Sequence, residues 1–273
     1  MNVLSLFSGI GGLDLGLEAH GCTTVAYSEV NEYAASVMDG RFLNAVNVGD
    51  ITQLVFERNE NGTCYIEQRD TGEGFWLPPI DIICGGFPCQ DISAAWNGPG
   101  ITGERSGLWR HYAEAIRGLR PRGVLVENVS NLAKRGLDVV LGDLAQLGYD
   151  AEWGVLRAGD FGAPHERARL FLVAYPDVSG CEEQRRGRPT ATELSPAERD
   201  GALLPGVGDQ AASLAMATFA RVPAVSTWEA EPRVGRVVDG LPSRVDRLRC
   251  LGNAVVPQVA EFAAGILIDR MER

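Results

Sequence analysis

The run Val3-Leu4-Ser5-Leu6-Phe7 passes directly into Ser8-Gly9-Ile10-Gly11-Gly12, and no other stretch constrains the fold so tightly. A short apolar run, then glycines, then leucines at 13, 15 and 17 reads as strand, tight turn and helix, with Gly21 as the stop. A second strand is expected over 23–27, with Glu29 just beyond it, and a helix over 33–38. Strand, glycine turn, helix, strand and acid make a βαβ unit. Such a unit commits the chain to parallel strands covered by helices. The alternation resumes with a strand at 80–84, a helix at 108–119, a strand at 123–126 and a helix at 137–147. Strands at 151–158 and 170–175 and a last helix over 258–271, started by Val256-Pro257, complete the pattern. The expected fold class is α/β, a doubly wound and mostly parallel sheet.

The chemistry should lie where such sheets bind ligands, beyond the carboxyl ends of the strands. The first glycine turn suits a nucleotide, yet it is not the dinucleotide fingerprint, because Asp14 occupies the third glycine position. Glu29 stands where an acid can bond ribose hydroxyls. An adenosine-type cofactor is therefore favoured over NAD, against the plainer reading of a tight turn and a surface acid. Cys84 lies inside an apolar strand, as a packing thiol does. Cys89, in Gly85-Gly86-Phe87-Pro88-Cys89-Gln90, lies past the strand on a rigid turn. A thiolate there is a candidate nucleophile; on its own it also fits an idle loop cysteine. Glu127-Asn128 ends the next strand and opens onto the same crevice, as an acid or as a helix cap. Arg167 and Arg169 alternate ahead of a strand, and a period of two would put both on one face. They are either part of the site or a solvated edge.

With 273 residues the chain can hold one large domain and a small lobe. Residues 1–175 read as the catalytic and cofactor-binding domain. Residues 176–235 read as a small irregular lobe, poor in periodic pattern. Residues 236–273 read as a C-terminal segment returning to the main domain. Asn-Gly and Thr-Gly pairs within 59–75 suggest a surface hairpin or flap inserted into the core. No basic leader precedes the first strand, and no unbroken apolar run approaches bilayer length, so a cytoplasmic location without a membrane partner is expected. Six scattered cysteines without a CxxC pair, and three histidines near none of them, predict reduced thiols and no metal site. The formal net charge of −11 weighs against a nucleic-acid partner, although arginines cluster at 185–188 and at 233–249.

Taken together, FSGIGG, GGFPCQ, ENV, an alternating RxR and LGNAV before a final helix occur in this order. The set closely resembles the DNA (cytosine-5)-methyltransferase family of bacterial or phage type, over nearly all of the chain except 59–75 and 176–232. The resemblance implies an S-adenosylmethionine-dependent methyltransferase sheet with a target-recognition lobe. It implies S-adenosyl-L-methionine as cofactor and double-stranded DNA with a flipped cytosine as substrate. Cys89 matches the family's nucleophile. Glu127 matches the residue that bonds ring nitrogen 3 and the amino group. Arg167 and Arg169 match the arginines that position the base. Phe7, Gly9, Gly11, Glu29 and Asp50 match the cofactor contacts, and Asn253 and Val255 match a late segment that returns to that pocket. A monomer is expected, and a cognate restriction endonuclease is a further partner the resemblance allows. One departure is His165, where the family usually has glutamine. The rival readings are an RNA cytosine methyltransferase, a catalytically inactive DNA-binding relic and an NAD oxidoreductase, the last disfavoured by Asp14.

Overall fold

A computed structural model describes residues 1–88, 107–134, 136–176 and 244–273. Cys89 and residues 177–235 of the expected lobe lie outside the described residues. The elements are β1 (Asn2–Leu6), α1 (Gly12–Glu18), β2 (Thr23–Ser28), α2 (Glu32–Arg41), β3 (Val46–Asn47), β4 (Leu54–Arg58), β5 (Cys64–Gln68) and β6 (Gly74–Leu77). They continue with β7 (Ile82–Gly85), α3 (Gly107–Leu119), β8 (Gly123–Val129), α4 (Leu137–Gln146), β9 (Tyr149–Arg157), β10 (Ala168–Pro176), α5 (Arg244–Asn253) and α6 (Pro257–Glu272).

Seven strands form one sheet in the order β3-β2-β1-β7-β8-β10-β9. The first five are parallel, and β10 runs antiparallel between β8 and β9. This is the doubly wound α/β sheet that the sequence predicts. Both faces are covered, which explains why β1, β7 and β8 are largely apolar and do not alternate. Leu4, Leu6, Ile83, Val124 and Val126 pack under α3 and α4. Val3, Ile82, Cys84 and Leu125 pack on the other face with α1 and α6. The sheet reverses its strand order at β1, with β2 on one side and β7 on the other, so the carboxyl ends of β1 and β7 flank the crevice where such sheets bind ligands.

Three expectations change. The inserted segment does form a hairpin, β5–β6, but not a loose surface flap: with β4 it makes a three-stranded antiparallel sheet of its own. Leu54, Phe56, Cys64, Ile66 and Leu77 are buried in the core beneath α3, and the close approach is marked at Gly118, where a Cβ would lie 2.2 Å from the Phe56 carbonyl oxygen. Strand β8 continues through Glu127 and Asn128, so both are strand residues. Of the arginine-rich stretch before the last helix, the described part from residue 244 onward is itself helical, α5. Helix α6 begins with Val256 as N-cap and Pro257 in its first turn. By length and composition the stretch Cys250–Glu272 could cross a bilayer. In this fold Val259, Ala260, Ala263, Ala264 and Leu267 of α6 are buried in the core instead.

Candidate active site

The crevice at the strand reversal begins with the turn after β1. Phe7 and Gly9 have φ of 52° and 55° and Gly11 has φ of 82°, a left-handed sequence that is favourable at the glycines and strained at Phe7. Glu29, at the end of β2, holds this turn: one carboxylate oxygen accepts from the Gly9 N–H and the other from the Asn31 N–H, each at 2.8 Å. Asn47 of β3 braces Glu29 in turn, donating to its carbonyl at 3.1 Å. Beside Glu29, Val30 is 69% exposed, an apolar surface at the mouth of the crevice. Asp50 is exposed on the same side and accepts from the Thr52 N–H at 2.9 Å, capping a short 3-10 turn. Each Glu29 oxygen keeps an acceptor lone pair, which fits a diol.

The second wall comes from the far end of the chain. A Cβ on Gly12 would lie 2.5 Å from the Val255 carbonyl oxygen, and one on Gly16 would lie 2.6 Å from Ala260 backbone and side-chain atoms. Glycine at both places lets α6 and the segment before it lie directly on α1. Val255 thus sits over the first turn of α1, beside the glycine turn, while Asn253 ends α5 with its side chain exposed. Gly11 turns elsewhere: a Cβ there would meet Phe42 at 2.7 Å and Met38 at 2.9 Å, so packing against α2 requires that glycine.

The third part is centred on β8. Glu127 is 8% exposed, and its Oε1 lies 3.1 Å from Nε of Arg169 on the paired strand β10. Burial pushes its carboxyl up to about 7 from 4.5, against the opposing charges of Arg169 and then Arg167. It is thus an acid that exchanges its proton near neutrality while a cation stands ready to hold the ionised form. A Cβ on Gly86 would fall 2.9 Å from Glu127 Oε2, so the glycines after β7 let that loop pass against the carboxyl. Buried Asn128 donates to the Phe87 carbonyl at 2.9 Å and fixes the loop two residues before Cys89. Cys84 is fully buried, and burial pushes its thiol well above the ordinary range. It is a packing residue.

Arg167 departs from expectation. The two arginines do not share a strand face, because Arg167 precedes β10 and has φ of 35°. Its Nη1 donates to the Gly252 carbonyl at 2.9 Å and its Nη2 to the Ala254 carbonyl. Only Arg169 pairs with Glu127. His165 is exposed. Asp14, marked in the sequence only as the residue in place of a third glycine, is 1% exposed and accepts from Ser5 Oγ at 2.9 Å and Thr24 Oγ1 at 2.8 Å. Burial, opposed by those two hydroxyls, raises its carboxyl to about 6. Asn47 and Val30 carry no signal in the sequence, while Asn128 lies next to Glu127 at the strand end the sequence points to. A separate cavity lined by Glu18, Cys22, Thr24, Arg41 and Phe42 lies towards the amino end of β2, away from this crevice.

Comparison with known proteins adds to this geometry. The model of the C-5 cytosine-specific DNA methylases matches residues 1–196. The chain belongs to that family. It is 38% identical over 178 residues to the Type II methyltransferase M.NgoBI of Neisseria gonorrhoeae, covering 64% of this chain and 50% of that protein. It is 33% identical over 195 residues to M.NgoFVII of the same organism, covering 70% of this chain and 48% of the relative. The chain thus spans about half the length of these relatives. The solved structure of the Entamoeba histolytica methyltransferase EhMeth superposes with a TM-score of 0.58 over 100% of this chain and 99% of that one, at 16% identity, and so shares the fold. Residues 244–273 of this methylase-family chain lie beyond the range that the family model matches, yet they supply the wall formed by Val255 and α6.

Proposed function

We propose that this chain is a DNA (cytosine-5)-methyltransferase. It transfers a methyl group from S-adenosyl-L-methionine to carbon 5 of a cytosine flipped out of double-stranded DNA, through a covalent adduct with Cys89. The observation that carries the reading is the Glu127–Arg169 pair, a buried carboxyl with a pKa of about 7 lying against the loop that leads to Cys89. In the family reading, Phe7, Gly9, Glu29, Asp50, Asn253 and Val255 hold the cofactor, with Gly11 shaping the turn. Glu29, held by two backbone donors, keeps acceptors for the ribose hydroxyls, and Val30 offers a surface for a flat ring.

Cytosine carbon 5 is a weak nucleophile. The Cys89 thiolate adds to carbon 6, and protonated Glu127 donates to ring nitrogen 3, so the charge that develops is neutralised as the carbon–sulfur bond forms. Arg169 then holds the ionised Glu127. The ring is now an enamine, and carbon 5 can take up the electrophilic methyl that the cofactor supplies. A base removes the carbon 5 proton, the electron pair restores the ring double bond, Cys89 leaves as thiolate, and ring nitrogen 3 returns its proton to Glu127.

The proposed organisation is a catalytic domain at 1–175, a target-recognition lobe at 176–235 and a returning segment at 236–273. The protein acts in the cytoplasm as a monomer. The Type II names of its relatives make a cognate restriction endonuclease the partner to seek. The test is DNA carrying cytosine fluorinated at carbon 5, in the presence of S-adenosylmethionine. Fluorine cannot leave as a proton does, so the adduct should persist in denaturant. Wild type and Cys84→Ser should be trapped and Cys89→Ser should not. A trapped Cys89→Ser, or a wild type that methylates tRNA and not duplex DNA, overturns the proposal.

A further inference from the structure

Arg167 occupies an unusual position. Its left-handed backbone, φ 35°, falls at the entry to β10 and turns its side chain off the line that Arg169 follows. The guanidinium reaches the carboxyl end of α5, where helix carbonyls lack partners of their own. Two of its nitrogens are taken up there, Nη1 by Gly252 and Nη2 by Ala254. A cation at that end of a helix also meets the negative pole of the helix dipole. Nε is buried and without a partner among the described residues, so the side chain is held by these two carbonyls. The next residue along, Val255, places its carbonyl over Gly12 beside the glycine turn. Two residues the other way from Arg167, Arg169 pairs with Glu127.

We propose that Arg167 is a positioning residue for the cofactor: it fixes the 252–255 segment over the glycine turn, and it is Arg169 that serves the base. The inference rests on the reading above, in which that turn and segment bind S-adenosylmethionine. It assigns the two alternating arginines to different ligands. It also ties them mechanically, because the wall of the cofactor pocket is anchored to the strand that carries Arg169.

The test is calorimetric titration of S-adenosylmethionine into the full chain as wild type, Arg167→Ala and Arg167→Lys, together with turnover on DNA at saturating cofactor. Losing two charge-assisted hydrogen bonds at the wall should weaken cofactor binding by about ten- to a hundredfold in Arg167→Ala. Arg167→Lys should recover part of this, because an ammonium supplies a point charge but no fork. Turnover at saturating cofactor should stay within a few-fold of wild type, a split between KM and kcat that general destabilisation does not produce. Should the alanine variant not fold, the lysine variant carries the test, with cofactor affinity weakened several-fold. Unchanged affinity with depressed turnover would overturn the assignment and return Arg167 to the base. A wild type that binds no S-adenosylmethionine sinks the parent reading and the inference with it. A wild type that binds, beside variants that bind equally well, sinks the inference alone.

Discussion

Replacing Glu127 by glutamine isolates the electrostatics of the site. The folded chain holds this carboxyl's proton up to about 7, while its ordinary value is 4.5. Between those values the folded state binds a proton that the unfolded state has released. The stabilisation is therefore complete below about pH 4.5 and is lost as the pH rises through about 7. The full span corresponds to about 3 kcal/mol at most. Arg169 is 25% exposed, so water screens the pair and the effective figure is smaller. From about pH 5.5 to about pH 8, the wild type should lose about 1–2 kcal/mol more than Glu127→Gln in urea denaturation. Asp14 acts with the same sign, its carboxyl rising from 3.8 to about 6, but it is present in both proteins and cancels in the comparison. Parallel pH dependences would refute the argument, for they would mean that ionised Glu127 is as well accommodated in the crevice as in water.

Glu29→Ala should weaken S-adenosylmethionine binding about ten- to a hundredfold by calorimetry, since it removes a charge-assisted hydrogen bond and frees the Gly9 turn; equal affinity contradicts the ribose role. Gly16→Val forces a side chain into the Ala260 backbone and should cost about 1–3 kcal/mol by thermal or urea unfolding; an unchanged midpoint would mean that α6 does not lie on α1 in solution. Asn128→Ala leaves the Phe87 carbonyl without its buried donor and should cost about 1–3 kcal/mol. Adduct formation on fluorinated DNA should also slow, and normal trapping kinetics would show that the loop keeps its place without this bond.

The unit β1–α1–β2 is legible because all its signals are local: an apolar run, glycines, leucines at helical spacing, and an acid at a fixed distance. Glu29 is legible for the same reason, and its bond to the Gly9 N–H is the structural form of that spacing. Arg167 is not, because the rule of alternation assumes extended backbone, and nothing in His165-Glu166-Arg167-Ala168-Arg169 announces a left-handed residue. Asp14 reads as a missing glycine; its place between Ser5 and Thr24 exists only once α1 lies across β1 and β2. The insertion shows its turns through Asn-Gly and Thr-Gly pairs, but its buried face needs α3, far along the chain, as a partner. The α5 helix is hidden by its arginines, which disrupt the apolar period that marks the other helices.

The contact between α1 and α6 joins residues made far apart in time during synthesis. His20 donates to the Glu261 carbonyl at 2.9 Å across a separation of 241 residues. On the ribosome, the β1–α1–β2 unit emerges with the small-residue face of α1 uncovered, and the helix that covers it follows only after the long intervening stretch. Contacts of such separation are slow to form, because the loop they close is long. The pocket wall at Val255 belongs to this later step, so a nascent chain presents its glycine turn well before it can hold a ligand there.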